Sequence, residues 1–157
     1  MTIESIKPLG EVERIIEYLD GSKEIVTFKN TILKNGRNTL ARCLAHDFGA
    51  EYLFYVNAII WGNNGTTGGA PKLVATERTG LFGPQVYSRP VISTVDNTQV
   101  IFTSVIPFNP DGLASPTILN EMALVLANGD LYSMVTFPDL TKTSSMQITW
   151  SWRLMFV

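Results

Sequence analysis

The segment SMQITWSWRLMFV alternates without a break: Ile148, Trp150, Trp152, Leu154 and Phe156 fall on one side, Gln147, Thr149, Ser151 and Arg153 on the other. A period of two marks a β-strand with one buried face, because successive side chains leave opposite faces of the pleat. Two tryptophans on that face need an apolar layer opposite them. Upstream, ILNEMALVLA and DLYSMVTF flank Asn128-Gly129, a turn whose positions both tolerate positive φ, which predicts a hairpin with its register set there.

The rest of the chain follows the same pattern. VERIIEYL and KEIVTF surround Asp20-Gly21 as a second hairpin, with Val12, Ile16 and Tyr18 on one face and Glu13 and Glu17 opposite. YLFYVNAIIW reads as a buried central strand. PQVYSRPVISTV and TQVIFTSVIPF read as strands joined at Asp96-Asn97, with Pro90 pushing the first toward an edge or a bulge. Helical spacing belongs to NGRNTLARCLAHDFG, where Leu40, Cys43, Leu44 and Phe48 form a stripe, Asn38 is placed to cap and Gly49 to terminate. Pro71 is expected to open a further helical turn in PKLVATERTG.

These elements predict a mainly β, single-domain antiparallel β-sandwich or jelly-roll-like fold over 11–157, with one short α-helix and about seven or eight strands. The last strand, running to Val157 without a polar tail, is expected to sit in a sheet or an interface. Residues 1–10 carry neither period and hold Pro8 and Gly10, so they are expected to form an N-terminal arm. Ile3, Ile6 and Leu9 are its partner-contacting residues. Such an arm reaches about 30 Å when extended.

Composition removes several classes of function. A net charge of −2 supplies no basic field for nucleic acid. The single cysteine, Cys43, excludes an internal disulfide and a multi-cysteine metal site, and no apolar run has the length of a membrane helix. Nothing at MTIESIKPLGEVER resembles a secretory leader, so synthesis in a reducing cytoplasm is expected. With one histidine, His46, every nucleophilic mechanism built on imidazole must pass through it. Its place beside Asp47, near the end of the predicted helix, favours capping, and pairing with Cys43 would seal both inside the core stripe. No catalytic, cofactor or metal residue is expected. Glu77, Arg78 and Glu121 are expected to pair only structurally.

The stretch WGNNGTTGGAP tests the phosphate-cradle alternative. Gly62, Gly65, Gly68 and Gly69 never supply Gly-x-x-x-x-Gly-Lys, and Asn64 occupies the second glycine of a dinucleotide fingerprint. The stretch therefore reads as an exposed loop at a sheet end, with Asn63, Asn64, Thr66 and Thr67 as partner contacts. Trp61 beside it offers one candidate platform for a sugar-binding sandwich.

The closing run places Glu121, Leu124, Gly129, Thr136-Phe137-Pro138, Lys142-Thr143 and Trp150 in the order "glutamate, apolar strand, glycine turn, strand ending in Thr-Phe-Pro, Lys-Thr, tryptophan-bearing last strand". In this it resembles structural proteins of tailed bacteriophage particles. FKNTILKNGRNTLARCLA and LVATERTGLFG are similar in character, so the resemblance spans most of the chain. It implies a non-enzymatic virion protein that assembles as trimers or rings and contacts capsid or tail subunits. A head decoration or cement protein comes first. A tail, baseplate or fibre-attachment component comes second.

Overall fold

A computed structural model describes residues 8–46 and 53–156. In chain order the elements are β1 (Pro8–Tyr18), β2 (Lys23–Lys29), β3 (Thr31–Ile32), α1 (Lys34–Leu44), β4 (Val56–Gly62), β5 (Thr66–Thr67), β6 (Ala70–Pro71), β7 (Gln85–Pro90), β8 (Ile92–Asp96), β9 (Gln99–Ile106), β10 (Thr117–Leu126), β11 (Leu131–Lys142) and β12 (Met146–Phe156). One five-stranded sheet has the order β2-β1-β12-β9-β8, the other β3-β11-β10-β4-β7, and β5-β6 form a small ribbon. All the pairings are antiparallel. The fold is mainly β and sandwich-like.

β12 sits at the centre of the first sheet, and its alternation becomes layering. Met146, Ile148, Trp150, Trp152 and Leu154 are buried, while Arg153 is exposed. Opposite them lie Ile59 and Trp61 of β4, Met122 and Leu124 of β10, and Phe137 of β11, all in the same core. The chain leaves the first sheet at Asn30. With its amide oxygen turned toward β12, Asn30 accepts from the Trp152 indole N–H at 2.6 Å and from Ser133 Oγ at 3.2 Å, and its NH₂ donates to the Gly10 carbonyl at 2.6 Å. One amide thus joins β1, β12 and β11 where the layers meet.

Several expectations change. The arm does not extend to residue 10, because Pro8, Leu9 and Gly10 already pair with Phe156, Met155 and Leu154. Residues 1–7, with Ile3 and Ile6, lie outside the described residues. PQVYSRPVISTV, expected as one strand that Pro90 pushes toward an edge or a bulge, does lie at an edge but divides at Pro90 into two edge strands in different sheets, β7 beside β4 and β8 beside β9. Proline suits both ends, since it has no N–H to give to a ladder. Pro71 opens no helical turn but lies in β6. In the β10–β11 turn only Gly129 adopts positive φ, +93°. Leu126 there donates to the Asp130 carbonyl at 2.9 Å, so the connection is wider than the two-residue turn expected.

α1 starts earlier than expected. Leu33 is its N-cap, without a side-chain cap bond, and Asn38 lies within the helix. The buried face is Gly36 and Thr39, with Leu40 and Cys43 partly covered, whereas Leu44 is 89% exposed. A Cβ at Gly36 would run into the Tyr132 backbone carbonyl, so close approach to β11 selects that face rather than the bulkiest residues. Phe48 and Gly49 lie outside the described residues.

Replacing Trp150 by Ala is expected to destabilise the protein by about 3–5 kcal/mol, because it empties a fully buried site between the layers. Replacing Arg153 by Ala, on the solvent side of the same strand, should stay within about 0.5 kcal/mol. Urea unfolding of the two variants measures this directly.

Candidate functional site

The glycine-rich stretch is held from below by two buried polar residues of β10. Asn120 is 3% and Glu121 0% exposed. They occupy the position where a register shift interrupts the β10–β11 ladder between Leu119 and Glu121. Ladder irregularities re-aim side chains. Here both act on the loops at that end of the sheet.

Glu121 Oε1 accepts backbone N–H groups from Asn64 and Gly83, each at 3.2 Å, and Oε2 accepts from Phe82 at 2.7 Å. One carboxylate thereby ties the 62–69 loop to the 81–83 segment. Arg78 does not pair with it as expected. Its guanidinium donates to the Gly80 and Leu81 carbonyls and lies 3.6 Å from the Phe82 ring centroid. Among the described residues the Glu121 oxygens contact backbone dipoles and no side-chain cation. A buried carboxylate of this kind is stabilised by charge-assisted bonds to N–H groups.

Asn120 completes the clamp. Its Oδ1 accepts from Gly65 N–H at 2.6 Å, and its Nδ2 reaches the Asn63 carbonyl, Thr66 Oγ1 and Asp139 Oδ1 at 3.2, 3.2 and 3.0 Å. Thr66 Oγ1 also donates to Asp139 at 2.9 Å. Side-chain bonds from Asn120 and then Thr66 hold the Asp139 carboxyl below the usual carboxylate range. At Gly65 a Cβ would collide with the Asn120 carbonyl, so this glycine is required by close approach. Gly68 and Gly69, at φ +58° and +82°, have open space around them and instead make the turn between β5 and β6.

The expected contact residues therefore divide. Asn63, Asn64 and Thr67 are exposed and Thr66 is partly buried. Only Thr67 among them makes no bond to this clamp. Asn64 is the most constrained, with its N–H on Glu121, its amide on the Phe82 carbonyl at 3.0 Å and its own carbonyl receiving Lys72 Nζ at 2.7 Å. Leu9 is 50% exposed in β1, opposite Met155. The structure does not bring Leu9 to the glycine loop: it leaves from the far side of the other sheet.

Trp61 presents no platform. It is 0% exposed, with its ring 5.7 Å from Tyr87 and 6.1 Å from Trp150, so it belongs to the core. His46 is exposed at φ +54°, just past the helix end, and its backbone N–H donates to the Cys43 carbonyl at 3.2 Å. It leaves the core stripe because the helix has already ended. Among the described residues no three His, Cys, Asp or Glu side chains cluster, and no helix is long and apolar enough to cross a membrane.

Sequence reasoning missed a second buried polar group, Lys142, at the end of β11. It is 2% exposed, and its ammonium donates to the Thr143 and Phe108 carbonyls at 2.7 and 3.2 Å. Burial lowers its pKa from the ordinary lysine value. It faces a cavity of about 220 Å³ under the 108–115 loop. The outward alternation of Thr141 and Thr143 around Lys142 was the available signal, since it puts a lysine at an inward position.

Compared with known proteins, the chain matches no family model, no curated protein and no solved structure.

Two outcomes test the clamp. Glu121→Gln turns an amide donor toward N–H donors and is expected to destabilise by about 2–3 kcal/mol, with faster hydrogen exchange at the 64, 82 and 83 amides. For Asp139 the folded pKa lies below the unfolded value of about 3.9, so its contribution is complete above that pH and is lost as pH falls through the folded value. The Thr66 and Asn120 NMR signals should therefore shift together on acidification with a midpoint below the unfolded value. A midpoint at or above the unfolded value would remove Asp139 from the clamp.

Proposed function

We propose that the chain is a non-enzymatic structural protein of a tailed-phage particle. It binds and stabilises the particle through strand-edge contacts with other virion subunits, as a capsid decoration or cement protein. The observation that carries this reading is β8. All five of its residues are exposed, with Ile92 at 75% and Val95 at 77%. It ends the β2-β1-β12-β9-β8 sheet, and among the described residues no strand pairs with its outer edge.

Free edges offer a row of unpaired N–H and C=O groups to any passing strand, and soluble proteins usually blunt them with lysine, proline, bulges or a covering loop. Ile92–Asp96 reads ISTVD, with β-branched residues at Ile92, Thr94 and Val95 and no lysine or proline. This is the composition of a strand that accepts a neighbour. Ile25, on β2 at the opposite edge of the same sheet, is 62% exposed, but Lys23, Glu24 and Lys29 put charge along that edge, so β8 is the less protected of the two. A subunit with one such edge suits docking onto a neighbouring subunit. The resemblance of the β10–β12 region to phage structural proteins supplies the setting.

The double variant Ile92→Lys, Val95→Lys puts charge on the edge without touching the core. Its melting temperature should match the parent. Binding to particles from the phage whose genome encodes the chain, followed by co-sedimentation, should weaken at least about tenfold, a change of about 1.4 kcal/mol. Equal binding by parent and variant would sink the edge as the contact. Absence of the parent from any particle fraction would sink the virion reading itself.

A further inference from the structure

We propose that the cavity at Lys142 is a carboxylate-binding site, in which the buried ammonium pairs with the anionic group of a ligand. It stands independently of the β8 edge.

A lysine ammonium has three N–H donors and no acceptor. Two are directed at backbone carbonyls, Thr143 at 2.7 Å and Phe108 at 3.2 Å, and these are its acceptors among the described residues. No carboxylate among those residues lies within ion-pair distance of it; the ion pairs there join Arg14 to Glu24 and Lys23 to Glu17. A residue 2% exposed thus carries a whole positive charge against neutral dipoles. Buried cations in folded proteins are paired or coordinated, because isolated charge in a low-dielectric interior is costly.

The second observation is the space in front of it. Lys142 is part of the wall of a cavity of about 220 Å³. The 108–115 loop roofs this space, and the Ser115 hydroxyl at its margin accepts the Ser144 N–H at 3.1 Å, which ties the loop to the turn after β11. A hollow of this size takes a carboxylate and a few attached carbons, below the range of drug-sized pockets. Size and charge together select a small monocarboxylate or the tip of an Asp or Glu side chain. Asp111 also lines the cavity, and its own negative charge opposes an incoming anion and limits affinity.

The same chemistry has two sources, a free small acid and a side chain presented by another protein. Sodium acetate serves as probe for the first and N-acetyl-glutamate methylamide for the second, each against sodium chloride at equal ionic strength. The readout is the NMR signal of the Lys142 side chain, followed with the 109–115 amides on the intact chain. A saturable shift with a Kd on the order of 1 mM, absent in chloride, is expected for at least one probe. Response to acetate and the blocked glutamate alike indicates any accessible carboxylate. Response to the blocked glutamate alone indicates a protein side chain. Asp111→Asn removes the opposing charge from an exposed loop and should tighten binding severalfold. Lys142→Met should abolish it, and where that variant fails to fold the Asp111→Asn result still decides. No saturable shift with either probe in both the parent and Asp111→Asn would overturn the site and leave Lys142 as a loop anchor only.

Discussion

The contact on which the two layers depend is the one Trp150 makes at the centre of the sandwich. Its ring lies 5.3 Å from Phe137 of β11 and 6.1 Å from Trp61 of β4, so a single side chain of the first sheet touches two strands of the second. Phe28 extends the group to β2 through Phe137 at 5.6 Å. Tilted rings at these separations gain quadrupole attraction beyond their buried area. Arg14 then enters the same cluster, with its guanidinium 5.2, 5.9 and 5.8 Å from the Phe28, Phe137 and Trp150 rings. Burial lowers its pKa, and its carboxylate neighbour Glu24, at 3.8 Å, acts against that shift. An arginine at an inward position of β1 is accommodated because aromatic faces and one ion pair replace water around it.

With the layers held in this way, the polar work of the protein moves to the sheet ends. Asn30 bridges the sheets where the chain crosses, Asn120 and Glu121 clamp the loops at one end of β10, and Lys142 holds the 108–115 loop at the end of β11. Glu121 and Lys142 are satisfied by backbone groups, and Asn120 divides its bonds between backbone and the Thr66 and Asp139 side chains. Such bonds fix loop shape with little dependence on what the loop tip contains. The tip of the β5–β6 ribbon and the β8 edge are correspondingly free to serve contacts.

Much of the fold was legible in local pattern. The strict alternation of β12, the apolar run that became β4, and the Asp20-Gly21 turn are short-range signals, and each survived because burial on one face is what the alternation encodes. The helix was legible in its period but not in its face. Leu44 has the bulk of a core residue, yet the approach to β11 is so close that Gly36 and Thr39 occupy the interface instead. The split at Pro90 was illegible for a related reason, since a period of two continues through a strand that changes sheets.

By itself, the sequence determined the β-rich class, the hairpin partners and which face of β12 is buried, because these depend on neighbours within a few residues. Tertiary structure alone decided that Gly65 lies against Asn120, that Glu121 collects the N–H groups of Asn64, Phe82 and Gly83, and that Trp61 is enclosed rather than displayed. These bonds to Asn120 and Glu121 join residues 38 to 57 positions apart. No local propensity specifies such a pairing; it arises only once β10, β4 and β7 lie side by side in one sheet, with Glu121 opposite Gly62 and Gly62 opposite Gln85, so that their loops meet at the same end and a buried carboxylate there must find donors or remain unsatisfied.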